Sequence, residues 1–475
     1  MTTKSNGYLK KKKRARFWRG ALLALLLTAL AVGLGAGIYF GYRFVKGWVD
    51  EVMGETAESS ETETGSEATT EETEATTETA PLFEEELAYA ERLAASYDYD
   101  AAIAYVKAIP NYAVYPELNG AVMRFLEAKS QLVKVDITQI PHVFVHSLIY
   151  DTALAFSSEE KDGYNQTMTT LTEFKAMLEQ MYARGYVLVR LHDMAAYNSD
   201  GSFVKGSIML PADKKPFVLS IDDMVYYEYM EGDGFASRIV LDESGRPTCE
   251  MKQRDGSTVT GDFDLVPLLE SFIEAHPDFS YRGARGAIAL TGYDGIMGYR
   301  TAPKYADPAG KDWKASYAAI NVEQERQEAA RVAARLKELG WEFASHSWGH
   351  VDMGKADIGW IKTDTQKWKK QVDSLLGGDT DIMIFAYGAD IGSWRNYSSD
   401  NEKFTYLKSV GFSYFCNVDA YNIPWVQFSQ SQGYLRQGRV NLDGYEMYYY
   451  PEKLSIFFDA AEVFDKSRPL PVPKY

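Results

Sequence analysis

His346 and His350 stand four residues apart in Ser345-His346-Ser-Trp-Gly-His350, and they are two of only six histidines in 475 residues. If that segment turns helically, both imidazoles lie on one side, the spacing that a single metal ion needs. Asp222 and Asp223 form a second pair. One of these carboxylates completes a His₂Asp ligand set with open positions for water and substrate. The other, beside the ion, can accept a proton from water. Nitrogen and oxygen donors of this kind suit Zn²⁺, with Co, Ni, Mn or Fe(II) as alternatives. The chemistry implied is metal-assisted hydrolysis.

The elements that must present these groups are strand ends. The run Lys215-Pro-Phe-Val-Leu-Ser-Ile stops at Asp222-Asp223, and Trp341-Glu-Phe-Ala delivers His346 and His350. Ile384-Phe-Ala ends at Tyr387-Gly388, and Val143-Phe-Val ends at His146. Strand-like runs are expected at His142–Leu148, Tyr186–Leu191, Pro216–Ile221, Gly286–Leu290, Trp341–Ala344, Asp381–Phe385 and Phe412–Cys416. Amphipathic helices are expected between them at Thr170–Arg184, Leu265–Glu274, Val322–Leu339, Asp364–Leu376 and Glu402–Val410. Asn321 is placed to cap the third of these and Gly340 to end it. Seven strands alternating with helices predict an α/β fold, a distorted (β/α)₇ barrel with reactive groups where the strands end. A β-hairpin over 238–261 is expected within an insertion spanning about 230–310. His142 and His276, beside prolines, read as loop residues, and His192 as structural.

Charge is uneven along the chain. The net −17 divides into +10 over 1–49, −11 over 50–80 and −16 beyond. That balance argues against nucleic acid as a partner. Residues 1–19 read as a basic cytoplasmic tail and 20–42 as a transmembrane helix, roughly 34 Å long. The positive-inside rule then places the rest outside a cell membrane, as a single-pass protein. A cleaved signal peptide is the rival, but its apolar run is normally shorter. Residues 43–80, rich in Glu and Thr, read as a disordered stalk. Residues 81–135 read as a small tetratricopeptide-like helical segment, a spacer or a surface for an envelope protein partner. Two cysteines, Cys249 and Cys416, make neither a disulfide framework nor a zinc site.

The order Asp-Asp, His-Ser-x-x-His and Phe-x-Tyr-Gly resembles the polysaccharide deacetylase family with the NodB homology domain (carbohydrate esterase family 4). Its first motif is matched by Ser220-Ile221-Asp222-Asp223 and its second by His346-Ser347-Trp348-Gly349-His350. The resemblance implies a NodB-like domain over 136–475, with Asp222 as catalytic base and Asp223, His346 and His350 as metal ligands. The third motif is matched only by Phe385-Ala386-Tyr387-Gly388, without its usual Arg and Pro. The resemblance implies that the Tyr387 N–H stabilises an oxyanion, with Arg395 as the nearest substitute for the missing arginine. The family's C-terminal histidine acid has no counterpart, because no histidine follows His350. In the circularly permuted, poly-N-acetylglucosamine deacetylase branch, a histidine ends the first strand instead, and that position is His146.

The function implied is removal of N-acetyl groups from an N-acetylated polysaccharide of a bacterial envelope, by hydrolysis of a carbon–nitrogen amide bond. A catalytically impaired, glycan-binding or scaffolding relative is the alternative, and an esterase the third possibility. Tyr226, Tyr293 and Trp348, with Tyr227, Tyr229 and Tyr299, are candidate sugar-stacking faces.

Overall fold

Seven parallel strands close on themselves in this computed structural model, which describes residues 83–418 and 422–475. They are β1 (His142–Val145), β2 (Lys215–Ile221), β3 (Ala287–Leu290), β4 (Glu342–Ser345), β5 (Ile382–Ile384), β6 (Tyr414–Val418) and β7 (Tyr434–Asn441). The ring runs in sequence order. Val143 pairs with Leu219, Ala287 with Ser220, Ile288 with Phe343 and Ala344 with Ile382. Met383 pairs with Phe415, Cys416 with Gln437, and Val440 returns to Val143.

The alternation of side chains along each strand divides the core in two. Val143, Leu219, Ile288, Phe343, Met383 and Phe415 face the helices, while Val218, Ala287, Ala289, Ala344 and Ile382 belong to a separate inner cluster. Each large side chain fully buried in this way contributes roughly 1.5–3 kcal/mol.

The covering helices are α1 (Leu171–Ala183), α2 (Leu265–Ala275), α3 (Val322–Leu339), α4 (Ile358–Gln371) and α5 (Glu402–Ser409). Their starts follow capping chemistry. Thr170 and Glu173 form a capping box on α1, and Asn321 accepts from the Gln324 N–H at 3.2 Å on α3. Gly340 ends α3 at φ 104°, a conformation open to glycine. Helix α4 begins at Ile358 rather than near Asp364, because Asp357 caps it through the Trp360 N–H.

Two strand expectations are corrected. Tyr186–Leu188 is a strand but not a ring member: it pairs with Lys215–Phe217, the first half of β2. The seventh ring strand is β7, whose polar run Tyr-Leu-Arg-Gln-Gly-Arg-Val-Asn gave no apolar signal. The expected hairpin over 238–261 is a three-stranded antiparallel sheet, Arg238–Leu241, Pro247–Lys252 and Thr258–Gly261. His142 is not a loop residue but a buried member of β1. Both cysteines are buried and free.

Three helices, Glu84–Ala95, Tyr99–Ala108 and Pro116–Ser130, share a small core of their own. They join the barrel through Tyr97, whose hydroxyl donates to the Asp278 carbonyl at 2.9 Å, and through the Ser96 carbonyl, which accepts from the Arg282 N–H.

The chain divides into units Met1–Glu78 and Thr79–Tyr475, and every described residue belongs to the second. The expected tail (1–19), span (20–42) and stalk (43–80) lie outside the described residues. Among the described residues no helix is long and apolar enough to cross a membrane. The expected single-pass membrane location is corrected accordingly.

Candidate metal centre

Asp223, His346 and His350 offer one ligand atom each within 4.8 Å of one another at the C-terminal mouth of the barrel. Asp223 Oδ2 lies 3.8 Å from His346 Nε2 and 3.4 Å from His350 Nε2. Ligands about 2.1 Å from a tetrahedral ion are about 3.4 Å from each other, so the spacing fits one ion. The donor chemistry fits as well. His346 Nδ1–H donates to the Ile384 carbonyl at 2.8 Å, which leaves the Nε2 lone pair directed at Asp223. Burial lowers the His346 pKa and keeps the ring neutral, the form that binds metal. Burial alone would raise the Asp223 pKa, but His346 and His350 outweigh it and hold the carboxyl well below its usual range. Its second oxygen accepts from the Tyr227 hydroxyl at 2.5 Å, and Tyr227 meets Thr291 Oγ1 at 2.9 Å.

The segment between the two histidines is a loop, not the helical turn expected from their spacing. Ser347 and His350 take left-handed conformations, at φ 63° and 53°. The buried Asp364 carboxylate of α4 holds the loop, accepting from the Trp348 and Gly349 N–H groups at 2.7 and 2.8 Å. Asp223 (φ 55°) and Tyr387 (φ 58°) are left-handed too. Each such residue costs on the order of 1–3 kcal/mol, and their concentration at strand ends marks a site held by its surroundings.

Asp222 faces a different partner. Its two oxygens accept from Arg439 Nη1 and Nη2 at 2.7 and 2.9 Å, and the guanidinium is fully buried. Burial alone would raise the Asp222 pKa, but Arg439 and then His346 overcome it, and the net shift is downward. Arg439 also donates to Ser220 Oγ at 3.1 Å, and Ser220 meets His142 Nε2 at 2.9 Å. Its guanidinium lies 4.0 Å from the centre of the Phe144 ring. The arginine beside Asp222 is therefore Arg439, not Arg395. Arg395 itself is exposed, and its carbonyl accepts from Arg436.

His146 follows β1, and among the described residues its buried Nδ1 has no hydrogen-bond partner. The Tyr387 ring packs edge-on to His350 with centroids 4.4 Å apart, and Tyr387 is 72% exposed. The stacking candidates divide. Tyr227, Tyr229 and Tyr293 form a stack, with centroids 5.6 and 5.3 Å apart, and Tyr229 and Tyr293 reach solvent. Tyr226 does not belong there: it is a core residue, 1% exposed, whose hydroxyl donates to Asp264 Oδ2 at 2.6 Å. Trp348 is also nearly buried, its ring against Gly292 and under the Lys367 ammonium, so it offers no free face. Arg439, Tyr227 as a hydrogen-bond donor to Asp223, and Asp364 were missed. Only Tyr227, four residues after Asp223, lay close enough in sequence to signal itself.

No family model matches the chain, and neither does any curated protein sequence. Among solved structures, the Streptococcus pyogenes deacetylase PplD in complex with acetate is matched at 14% identity and a TM-score of 0.34. The match covers 66% of this chain and 94% of that one.

Proposed function

We propose that the Thr79–Tyr475 unit is a metal-dependent hydrolase that removes N-acetyl groups from a glycan. The observation that carries this reading is the division of labour between two adjacent aspartates. Asp223 turns to His346 and His350, while Asp222 turns to a buried arginine. A purely structural ion pair would not place a second carboxylate, two imidazoles and strained backbone at the same mouth.

Asp223, His346 and His350 would hold a divalent ion, Zn²⁺ by the donor set, which supplies Lewis-acid polarisation of the acetamide carbonyl and of water. Asp222 accepts the proton of the attacking water, and Arg439 keeps its carboxylate ionised and oriented for that task. The Tyr387 N–H donates to the oxyanion that develops on the carbonyl oxygen. His146 donates a proton to the departing nitrogen, so that acetate and a free amine leave. Tyr229 and Tyr293, at the exposed ends of the tyrosine stack, receive the sugar ring.

Acetate release from N-acetylglucosamine oligomers tests the reading. It is expected from the parent chain and not from Asp222→Asn. Its absence from the parent chain loaded with Zn²⁺, Co²⁺ or Ni²⁺ would refute the proposal.

A further inference from the structure

Beside the metal site lies a second cleft, which shares Tyr293 with it. Tyr293 and Trp348 are among its lining residues. Tyr293 stacks on Tyr227, which holds Asp223, and Trp348 stands between His346 and His350 in the chain. The cleft, about 680 Å³, is bounded by residues 302–317 and by Lys367 of helix α4. Four lysines line it, Lys304, Lys311, Lys314 and Lys367, against one carboxylate, Asp312.

That concentration runs against the rest of the molecule, since residues 81–475 carry −16. Two of the lysines are already neutralised. Lys304 pairs with Asp294, and Lys314 with Glu228 at 2.6 Å. The other two form no such pair, although Lys367 acts at longer range on Asp364 of its own helix. Lys311 and Lys367 are both exposed, and among the described residues neither has a carboxylate in ion-pair contact. Lys367 is held over the Trp348 ring at 4.3 Å from its centre, so its ammonium is fixed beside the metal-site loop. A glycan of neutral acetamides gains nothing from two unpaired ammonium groups at this place. A glycan with acidic substituents gains a charge partner beside the reacting sugar.

We infer that this site takes an acidic glycan, in which the N-acetylated sugar at the metal centre is flanked by a unit whose carboxylate or phosphodiester meets Lys311 and Lys367. The inference deepens the deacetylase reading and rests on it for the identity of the sugar, but its charge component is tested by binding alone.

Calorimetry on the full chain loaded with Zn²⁺ compares three N-acetylglucosamine oligomers of equal length. One is unmodified, one carries 3-O-lactyl carboxylates on alternate sugars, and one carries phosphodiester substituents. An acidic oligomer is expected to bind about tenfold tighter than the neutral one at low salt, equivalent to about 1.4 kcal/mol. The advantage should shrink as ionic strength rises. It should vanish in Lys311→Gln/Lys367→Gln, with neutral-oligomer affinity unchanged. Whichever acid gives the larger advantage names the source of the charge. Equal affinity for all three oligomers, or an advantage that survives in the double variant, overturns the inference. Acetate release from no oligomer, with the lysine-dependent advantage intact, refutes the deacetylase reading and leaves the acidic-glycan cleft standing.

Discussion

Replacing Arg439 by Met tests the support beneath the proposed base. The guanidinium is fully buried, makes two hydrogen bonds to Asp222 at 2.7 and 2.9 Å and a third to Ser220 at 3.1 Å. Met conserves much of the volume but leaves a buried carboxylate with its principal counter-charge gone. Breaking a buried pair from one side costs about 3–5 kcal/mol. For a unit of about 400 residues, that corresponds to a fall of roughly 4–6 °C in Tm. The sign of the pH effect follows from the same pair. In the parent chain Asp222 titrates below the ordinary carboxylate range, so the base form survives to low pH and is lost only as pH falls through that value. Without Arg439, burial dominates and the pKa rises, so the acid limb of the activity profile moves upward. Acetate release at neutral pH should drop about 100-fold or more, the share that a positioned general base supplies. Adding Asp222→Asn to Arg439→Met removes the stranded charge and should recover part of the lost Tm, giving a non-additive cycle. Scanning calorimetry and a pH series of acetate release read these effects. A variant with the parent Tm and an unmoved acid limb would refute the reasoning.

Other expectations rest on residues outside the metal triad. Asp364→Ala frees the Trp348 and Gly349 N–H groups that hold the His346–His350 loop. Metal affinity should fall about 10–100-fold, as for other groups that orient ligands, and chelator competition measures it. Tyr227→Phe removes one hydrogen bond to Asp223 Oδ1 while keeping the stacked ring. It should weaken metal binding in the same assay and leave Tm within a degree or two. His192, at the opposite end of the barrel, bridges Glu342 and Asp381. Burial alone would lower its pKa, but the two carboxylates outweigh it and carry it up to about 11. A raised histidine pKa stabilises fully below its unfolded value of about 6.5, and the effect fades as pH rises toward the folded value. The Tm deficit of His192→Gln should therefore be largest near pH 6 and shrink by pH 10. A deficit that is constant with pH would count against the pairing.

The parts of the site that were legible in the sequence are those whose chemistry is local. Asp222 and Asp223 follow an apolar run that can only be a buried strand, and His346 and His350 follow another. Strand ends of an α/β barrel converge, so four residues separated by more than a hundred positions could be placed together from pattern alone. The partners that hold them were not legible, for a physical reason. Strand β7 puts Gln437 and Arg439 into the barrel with their side chains almost wholly buried, so its pattern is polar where a core strand is normally apolar. Arg439 meets Asp222 across 217 positions with no local signal at either end. The same blindness affected the aromatics. Tyr226 and Tyr227 are neighbours of equal composition, and only the left-handed turn at Tyr226 (φ 52°) sends one ring to the core and the other to the site. The helical turn expected between the histidines failed because Ser347 and His350 adopt left-handed conformations that the Asp364 clamp supports.

The central claim is that Asp223, His346 and His350 hold a catalytic divalent ion. Metal content of the purified full chain, by mass spectrometry after equilibration with Zn²⁺ and desalting, tests it most directly. Roughly one ion per chain is expected for the parent and for Asp222→Asn, and none for His346→Ala. A parent chain that retains no divalent ion, or a His346→Ala chain that retains as much as the parent, would contradict it.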